Sequence, residues 1–406
     1  MKGKPEKTVA LIDPVWVGHH PMYFTQFTGS FLRAGARVIG LCPDPQGALA
    51  NLRAAFPDAD LDGRVRMFNL RTGKRSFFNG RFEGDPARTF DRWRKAADAL
   101  ADAQSASGWQ ADLMYFPYLD SYLRFMPLPI LPEMLIHLPW SGLYLRNHHH
   151  GEKPSFAKRL RLLAKGDAIF RSRTCLEVGV LDERFIPAME QLTGKRVIAY
   201  PDVTQEGMPP APTALAEDIR NRAAGRPVIG IIGLEKRKGF LTLLRTAKLA
   251  KEREIPAFFV CAGIYPPGEY TEEERSEISA LTEDVSDILH FNPDSGRIAS
   301  EADYNSLFSV FDIAWAAYED FQGSSGTLSK AALFGKTCIA TAGECVGQRV
   351  ERYRMGMTIK QGSAEAALEA IRQLAVAKLE PRFADYREDH SLARLDSILA
   401  NLLERV

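Results

Sequence analysis

A glycine- and hydroxyl-rich bend, Gly323, Ser324, Ser325, Gly326 and Thr327, lies between an apolar run ending at Ala317 and a helically spaced stretch, Thr327 to Phe334. Gly323 and Gly326 allow the backbone to approach a ligand closely. Ser325 or Thr327 can cap the helix that follows. The unbonded amides of a first helical turn and the positive end of its dipole receive anions such as a diphosphate. An ordinary capped strand–helix turn uses the same residue types. The spacing does not match a Walker loop, so a P-loop ATPase is disfavoured.

A second segment of the same kind runs from Gly233 through Leu234, Glu235, Lys236, Arg237 and Lys238 to Gly239. It also separates a buried-strand pattern from a helical one. Arg237 and Lys238 there can neutralise a departing phosphate. A solvated basic turn is the bland alternative. Two such loops in one α/β half favour the ligand-binding reading, because ligands of open parallel sheets bind at the strand carboxyl ends.

The elements that position these loops follow from hydrophobic patterning. Thr8–Asp13 reads as a strand, about Tyr23–Ala34 as a helix closed by Gly35, and Ala36–Cys42 as a second strand. Strand, helix, strand implies a parallel sheet. Further strands are expected at Leu113–Phe116, Ala168–Phe170 and Val197–Tyr200. The proline-rich stretch 206–227 reads as a linker with a short helix inside. Beyond it, Val228–Gly233, Ala257–Ala262, Ile313–Ala317 and Thr337–Thr341 read as strands, with helices at Phe240–Arg253 and about Glu301–Phe308. The expected fold class is α/β, with two Rossmann-like domains facing across a cleft. The expected division is residues 1–205, a linker at 206–227, a second domain at 228–380 and a tail at 381–406. The tail's helix, about Ser391–Leu403, is expected to cross back onto the first domain.

Composition agrees with two ordinary globular domains. The chain has 406 residues, 45% hydrophobic and 25% charged, which excludes disordered and disulfide-scaffold classes. The 52 basic residues balance 51 acidic ones, so no chain-wide drive toward nucleic acid exists. Five scattered cysteines suit a reducing compartment and neither a zinc site nor a disulfide framework. No apolar run reaches the roughly 18–20 residues that span a bilayer, and the first residues lack a signal peptide's apolar core. The expectation is a cytoplasmic protein.

Beyond these physical readings, the C-terminal half resembles the retaining, nucleotide-sugar-dependent glycosyltransferases of the GT-B fold (family-4 type, glycosyl transferases group 1). Gly233 to Gly239 resembles their donor-phosphate loop. The Ala262–Gly263 strand end, the Glu301–Tyr304 helix start and the Phe311–Trp315 strand fit the following elements in order. Gly335 to Thr341 resembles their Gly-Lys-Pro-Val-Ile-Ala-Thr strand. The resemblance spans about residues 228–375 and implies sugar transfer from a nucleoside diphosphate to an acceptor hydroxyl. It implies retention at the anomeric carbon, a nucleotide sugar as co-substrate with no other cofactor, and no metal. The implied setting is polysaccharide or glycoconjugate assembly, with a glycan or lipid-linked acceptor.

Two departures stand out. The family's paired glutamates, with seven residues between them, correspond to Gln322 and Lys330, and Glu319 lies three residues from the first. Leu234 stands near the usual loop arginine, with Arg237 as the closest substitute. A catalytically inactive sugar-nucleotide- or glycan-binding protein on this fold is therefore the second reading. A GT-B sugar-nucleotide epimerase is the third. In the first domain, Gly18, His19 and His20 occupy the place of the family's N-terminal glycine loop. His20 or His19 can polarise an acceptor hydroxyl. Tyr118, Asp120 and Arg124 follow a strand end and could line the acceptor side, with Asp120 a candidate base. The triple His148, His149 and His150 reads as a solvated loop rather than a metal cluster. Basic segments at Arg71, Lys74, Arg75 and Arg81, interleaved with Phe77, Phe78 and Phe82, and at Lys158, Arg159, Arg161 and Lys165, read as solvated faces. Such faces also permit peripheral contact with the inner face of a membrane.

Overall fold

The chain divides into two α/β units, one of residues 1–201 with 392–406 and one of residues 202–391. The computed structural model describes residues 6–57, 60–71, 86–123, 129–145, 167–203, 212–292, 296, 298, 300–376 and 379–406. Arg124, His148–His150, the Lys158–Lys165 segment and the basic segment beyond Arg71 lie outside the described residues.

The first unit is built on a parallel sheet. Its strands are β1 (Thr8–Ile12), β2 (Arg37–Cys42), β3 (Val65–Asn69), β4 (Leu113–Phe116), β5 (Trp140–Tyr144), β6 (Cys175–Val180) and β7 (Arg196–Ala199). They lie side by side in the order β3-β2-β1-β4-β5-β6-β7. Every residue of β1 is buried, as in a parallel strand covered by helices on both faces. Helix His20–Arg33 carries Pro21 in its first turn, where the missing N–H costs nothing. It packs close to β2. A Cβ on Gly40 would lie 2.2 Å from the Met67 sulfur and 3.1 Å from the Phe24 ring. On the other face Trp93, Phe116, Tyr122 and Trp140 form a fully buried aromatic cluster. Helix Leu392–Leu403 belongs to this unit, where Asp396 accepts two hydrogen bonds from Arg33, at 2.6 and 2.9 Å. Beyond it, Arg405 pairs with Glu177 of β6.

The strand expected at Ala168–Phe170 is instead a 3-10 helix, Asp167–Arg171. Three apolar residues are too few to distinguish a strand from a turn that buries Ile169 and Phe170. Tyr144 donates from its hydroxyl to the Asp167 carboxylate, at 3.1 Å, and holds that turn against the end of β5. The neighbouring strand is β6.

The second unit holds β8 (Val228–Ile232), β9 (Phe258–Ala262), β10 (Leu289–Phe291), β11 (Ile313–Ala316), β12 (Thr337–Thr341) and β13 (Gly356–Ile359). They are parallel, in the order β10-β9-β8-β11-β12-β13. The stretch read as linker contains a helix, Ala214–Ala223, capped by Thr213. Its Ala216, Ile219 and Ala223 are buried in this unit's core. In both sheets the first strand is flanked by the second and the fourth, the Rossmann order. The chain reverses its direction of winding there, at the carboxyl ends of β1 and β4 and of β8 and β11, where open parallel sheets ordinarily bind ligands.

Candidate functional site

In the second unit both glycine-bearing loops leave adjacent strands, because β8 pairs with β11. After β8, Gly233 adopts φ +83°, and a Cβ there would lie 2.3 Å from the Lys238 ammonium. A single 3-10 turn, Lys236–Lys238, follows. Gly239, at φ +73°, then turns the chain into helix Phe240–Glu252, and its own Cβ would lie 2.3 Å from the Ala317 carbonyl oxygen. The left-handed backbone calls for glycine at both positions, and at Gly239, which abuts a backbone carbonyl, so does space.

The two loops are bonded to each other. The Glu319 amide donates to the Arg237 carbonyl at 2.8 Å. The Trp315 indole donates to the Lys238 carbonyl at 3.1 Å. The Glu319 carboxylate accepts from the Thr242 hydroxyl at 2.6 Å, tying the start of helix Phe240–Glu252 to the end of β11.

The three cations of the loop differ. Lys236 is bound to Glu274, with Nζ 2.6 Å from a carboxylate oxygen. Lys238 folds inward, donating to the Ile232 carbonyl at 2.8 Å and pairing with Glu235 at 3.3 Å. Burial pushes its amine below the usual lysine range, against the pull of Glu235. Arg237 is exposed, its guanidinium 5.3 Å from the centre of the Phe321 ring, and it has no carboxylate partner among the described residues.

The bend beyond β11 is organised by a tyrosine. The buried Tyr318 hydroxyl shares hydrogen bonds with the hydroxyls of Ser325, at 2.7 Å, and Thr327, at 2.8 Å. Ser325 also accepts from the Thr327 amide at 3.1 Å and so caps helix Gly326–Phe334. Both hydroxyls are thereby engaged within the protein. The amides of Ser324, Ser325 and Gly326 have no acceptor among the described residues, and Gly323 and Ser324 are partly exposed. The chemistry that the bend presents is therefore that of bare amides at a helix start.

Gln322 is exposed, whereas Lys330 is buried. The Lys330 ammonium donates to Asn305 at 2.8 Å and lies 5.8 Å from the centre of the Tyr304 ring. It thus packs between its own helix and helix Glu301–Val310.

In the first unit, the loop after β1 centres on His20. Its Nδ1 lies 2.8 and 2.9 Å from the two oxygens of Asp13, which is fully buried. The imidazole stacks on Tyr118, with ring centroids 4.0 Å apart. Burial pushes the Asp13 carboxyl up, opposed mainly by its hydrogen bond to His20. His19 and Gly18 are exposed, the latter at φ +62°. Asp120 is buried and accepts from the Leu145 amide at 2.8 Å, linking the turn after β4 to the end of β5. His20 and Tyr118 therefore come together, while Asp120 is engaged in holding backbone.

Asp13, Tyr318, Thr242 and Asn305 are the partners that sequence reasoning missed. For Asp13 a signal exists: a carboxylate at the end of an apolar strand, seven residues before a histidine in the next loop. Nothing marks the other three before the fold is known.

No family model and no curated protein matches this chain. Solved structures do match over its whole length. Anabaena HepE in complex with UDP and glucose is 14% identical with a TM-score of 0.62, covering 99% of this chain and 100% of that one. A glycosyltransferase from Rickettsia africae is 12% identical with a TM-score of 0.65, covering 99% of each. Sucrose-phosphate synthase from Thermosynechococcus elongatus is 18% identical with a TM-score of 0.64, covering 98% of this chain and 99% of that one. At these identities the likeness shows the fold: two Rossmann-like domains, as in GT-B glycosyltransferases. No helix among the described residues is long and apolar enough to cross a membrane.

Proposed function

We propose that this protein is a glycosyltransferase that moves a sugar from a nucleoside diphosphate sugar to an acceptor hydroxyl in polysaccharide or glycoconjugate assembly. The C-terminal unit holds the donor's diphosphate, and the N-terminal unit serves the acceptor through His20. The observation that carries this reading is the bond between Glu319 and Arg237. It brings an exposed guanidinium and a run of unbonded amides to one switch point. A guanidinium and backbone amides can bind a diphosphate and stabilise its charge as it departs, without a metal. The whole-length likeness to HepE, solved with UDP and glucose, supports a UDP-sugar as the donor to try first.

Thermal-shift measurements with UDP, GDP, ADP and their sugar conjugates test this. A ligand that binds the native state alone raises the melting temperature, by an amount that grows with concentration over Kd. A melting curve unmoved by every diphosphate would overturn the proposal.

A non-catalytic sugar-nucleotide-binding protein is the second reading. It is favoured by Lys330, which stands in place of a family glutamate and is bound to Asn305. Binding of a nucleotide sugar with no release of its sugar to water or to any acceptor of a panel would select it.

A further inference from the structure

Three consecutive residues beyond β11 are each held from a different strand end of the second unit. The Tyr318 carbonyl accepts from the hydroxyl of Thr341, the last residue of β12. The Glu319 amide donates to the Arg237 carbonyl in the loop after β8. Asp320 is held by Gln361, from the loop after β13. The Asp320 amide donates to Gln361 Oε1 at 3.0 Å, and the Asp320 carboxylate accepts from Gln361 Nε2 at 3.1 Å. One carboxamide thus grips both the main chain and the side chain of a residue 41 positions away. Strand β12 lies between β11 and β13. No backbone ladder therefore joins the two loops, and Gln361 reaches across to do so.

Asp320 has φ +49°, in the left-handed region. Aspartate visits that region more readily than most residues, but it is still strained there. Such strain persists where the surroundings hold it, and Gln361 holds both ends of this residue. The turn sets the place of the next one. The Phe321 ring centre lies 5.3 Å from the Arg237 guanidinium and meets the Tyr318 ring edge-on at 5.2 Å. A guanidinium resting on an aromatic face keeps the donors at its rim free for an anion.

Resting on the diphosphate site proposed above, we infer that Gln361 is a positioning residue for that site. By clasping Asp320 in its left-handed turn, it sets Phe321 beneath Arg237 and holds the guanidinium ready. The side-chain type is specific. A carboxamide offers an acceptor and a donor side by side, and Asp320 uses both. Glutamate has the same shape but offers only acceptors, and it turns a second charge toward the Asp320 carboxylate. Alanine offers neither. Gln361 acts on the fraction of molecules whose loop is ready, and apparent affinity scales with that fraction.

The test is calorimetric titration with UDP. Gln361→Ala removes the clasp without changing charge, at an exposed position against an exposed partner, so the fold is kept. It is expected to raise the Kd about 5- to 10-fold. Gln361→Glu is expected to do at least as much. Adding Asp320→Asn to Gln361→Glu again sets a donor opposite each acceptor, at the wild-type net charge. That pair is expected to return the Kd to within about 2-fold of wild type. In an Arg237→Ala background, Gln361→Ala is expected to cost less than about 2-fold, because residues acting through one another are not additive. A Gln361→Ala protein that binds UDP like wild type overturns the inference and leaves the diphosphate site standing. A Gln361→Glu loss that Asp320→Asn does not rescue overturns the clasp and marks a charge effect. The full loss repeated without Arg237 overturns the route through that residue. Wild-type protein that binds none of UDP, GDP and ADP overturns the diphosphate reading itself, and this inference with it.

Discussion

The Glu319 amide donates to the Arg237 carbonyl across 2.8 Å, and the loops after β8 and β11 thereby become one surface. Two strands of a parallel sheet bring their ends near each other, but only cross-bonds between the loops fix how those ends face. The Trp315 indole on Lys238 and the Thr242 hydroxyl on Glu319 add two more such bonds. The diphosphate site proposed here is therefore a property of the joined loops rather than of either one.

Of the loop's cations, Arg237 is the one free of carboxylates among the described residues. Arg237→Ala should weaken UDP binding by roughly 10- to 150-fold, because a hydrogen bond to a charged group contributes about 1.5–3 kcal/mol. Lys238→Ala should cost less, since that ammonium already serves the Ile232 carbonyl and Glu235. Calorimetric titration of both variants with UDP measures the order. A larger loss in Lys238→Ala would show that Lys238 swings outward and is the main phosphate ligand.

Lys238 also predicts a pH effect on binding. Burial has lowered the pKa of its amine below the usual 10.5, so its charge is lost earlier in the alkaline range than an exposed lysine's. A bound diphosphate favours the charged form. UDP affinity should therefore fall as pH rises through the lowered pKa, and Lys238→Met should flatten that fall. Parallel slopes for wild type and variant would show that Lys238 does not feel the ligand.

Gly239 tests the joint between the loops. Any side chain there meets the Ala317 carbonyl oxygen at 2.3 Å in a left-handed backbone. Gly239→Ala should cost about 1–3 kcal/mol in backbone strain alone and move Arg237 away from the bend. Both a lowered melting temperature and weakened UDP binding are expected. A variant that melts lower but binds UDP normally would separate the fold of the loop from its function.

What could be read in advance divides along physical lines. β1, β8, β9 and β11 are continuous apolar runs, fully buried, and such runs announce themselves. β3 and β13 lie at sheet edges with mixed burial, and their patterns are too short and too polar to stand out. The two glycine-bearing loops after β8 and β11 were legible as loops because glycine and charge at strand ends have a local cause. The Asp13–His20 contact had only a faint signal, a strand-end carboxylate followed by a loop histidine, because it closes only when the loop folds back over the strand end. The setting of Lys330 was not legible, because its partner Asn305 comes from a different helix and is 25 residues away.

The C-terminal residues offer a test of the first unit that is independent of any ligand. Glu177 lies on β6, beside the edge strand β7, 1% exposed, paired with Arg405 and, at 3.8 Å, with Arg196. Burial raises its pKa above 4.5, and Arg405 is the largest opposing influence. The folded state thus holds a proton at pH values where the unfolded chain has released it. Stability from this group is complete below the unfolded pKa and declines as pH rises through the folded one. Arg405→Met removes the opposing charge, raises the folded pKa further and widens that window upward. Its stability deficit should be small below about pH 4 and grow to about 1–3 kcal/mol near neutrality. That range is below the 3–5 kcal/mol for stripping a buried charge of its only partner, because Arg196 remains and Arg405 is itself partly exposed. Urea unfolding from pH 4 to 8 measures it. Adding Glu177→Gln to Arg405→Met should remove the pH dependence. A deficit that is the same at every pH would mean that Arg405 acts through packing and not through its charge.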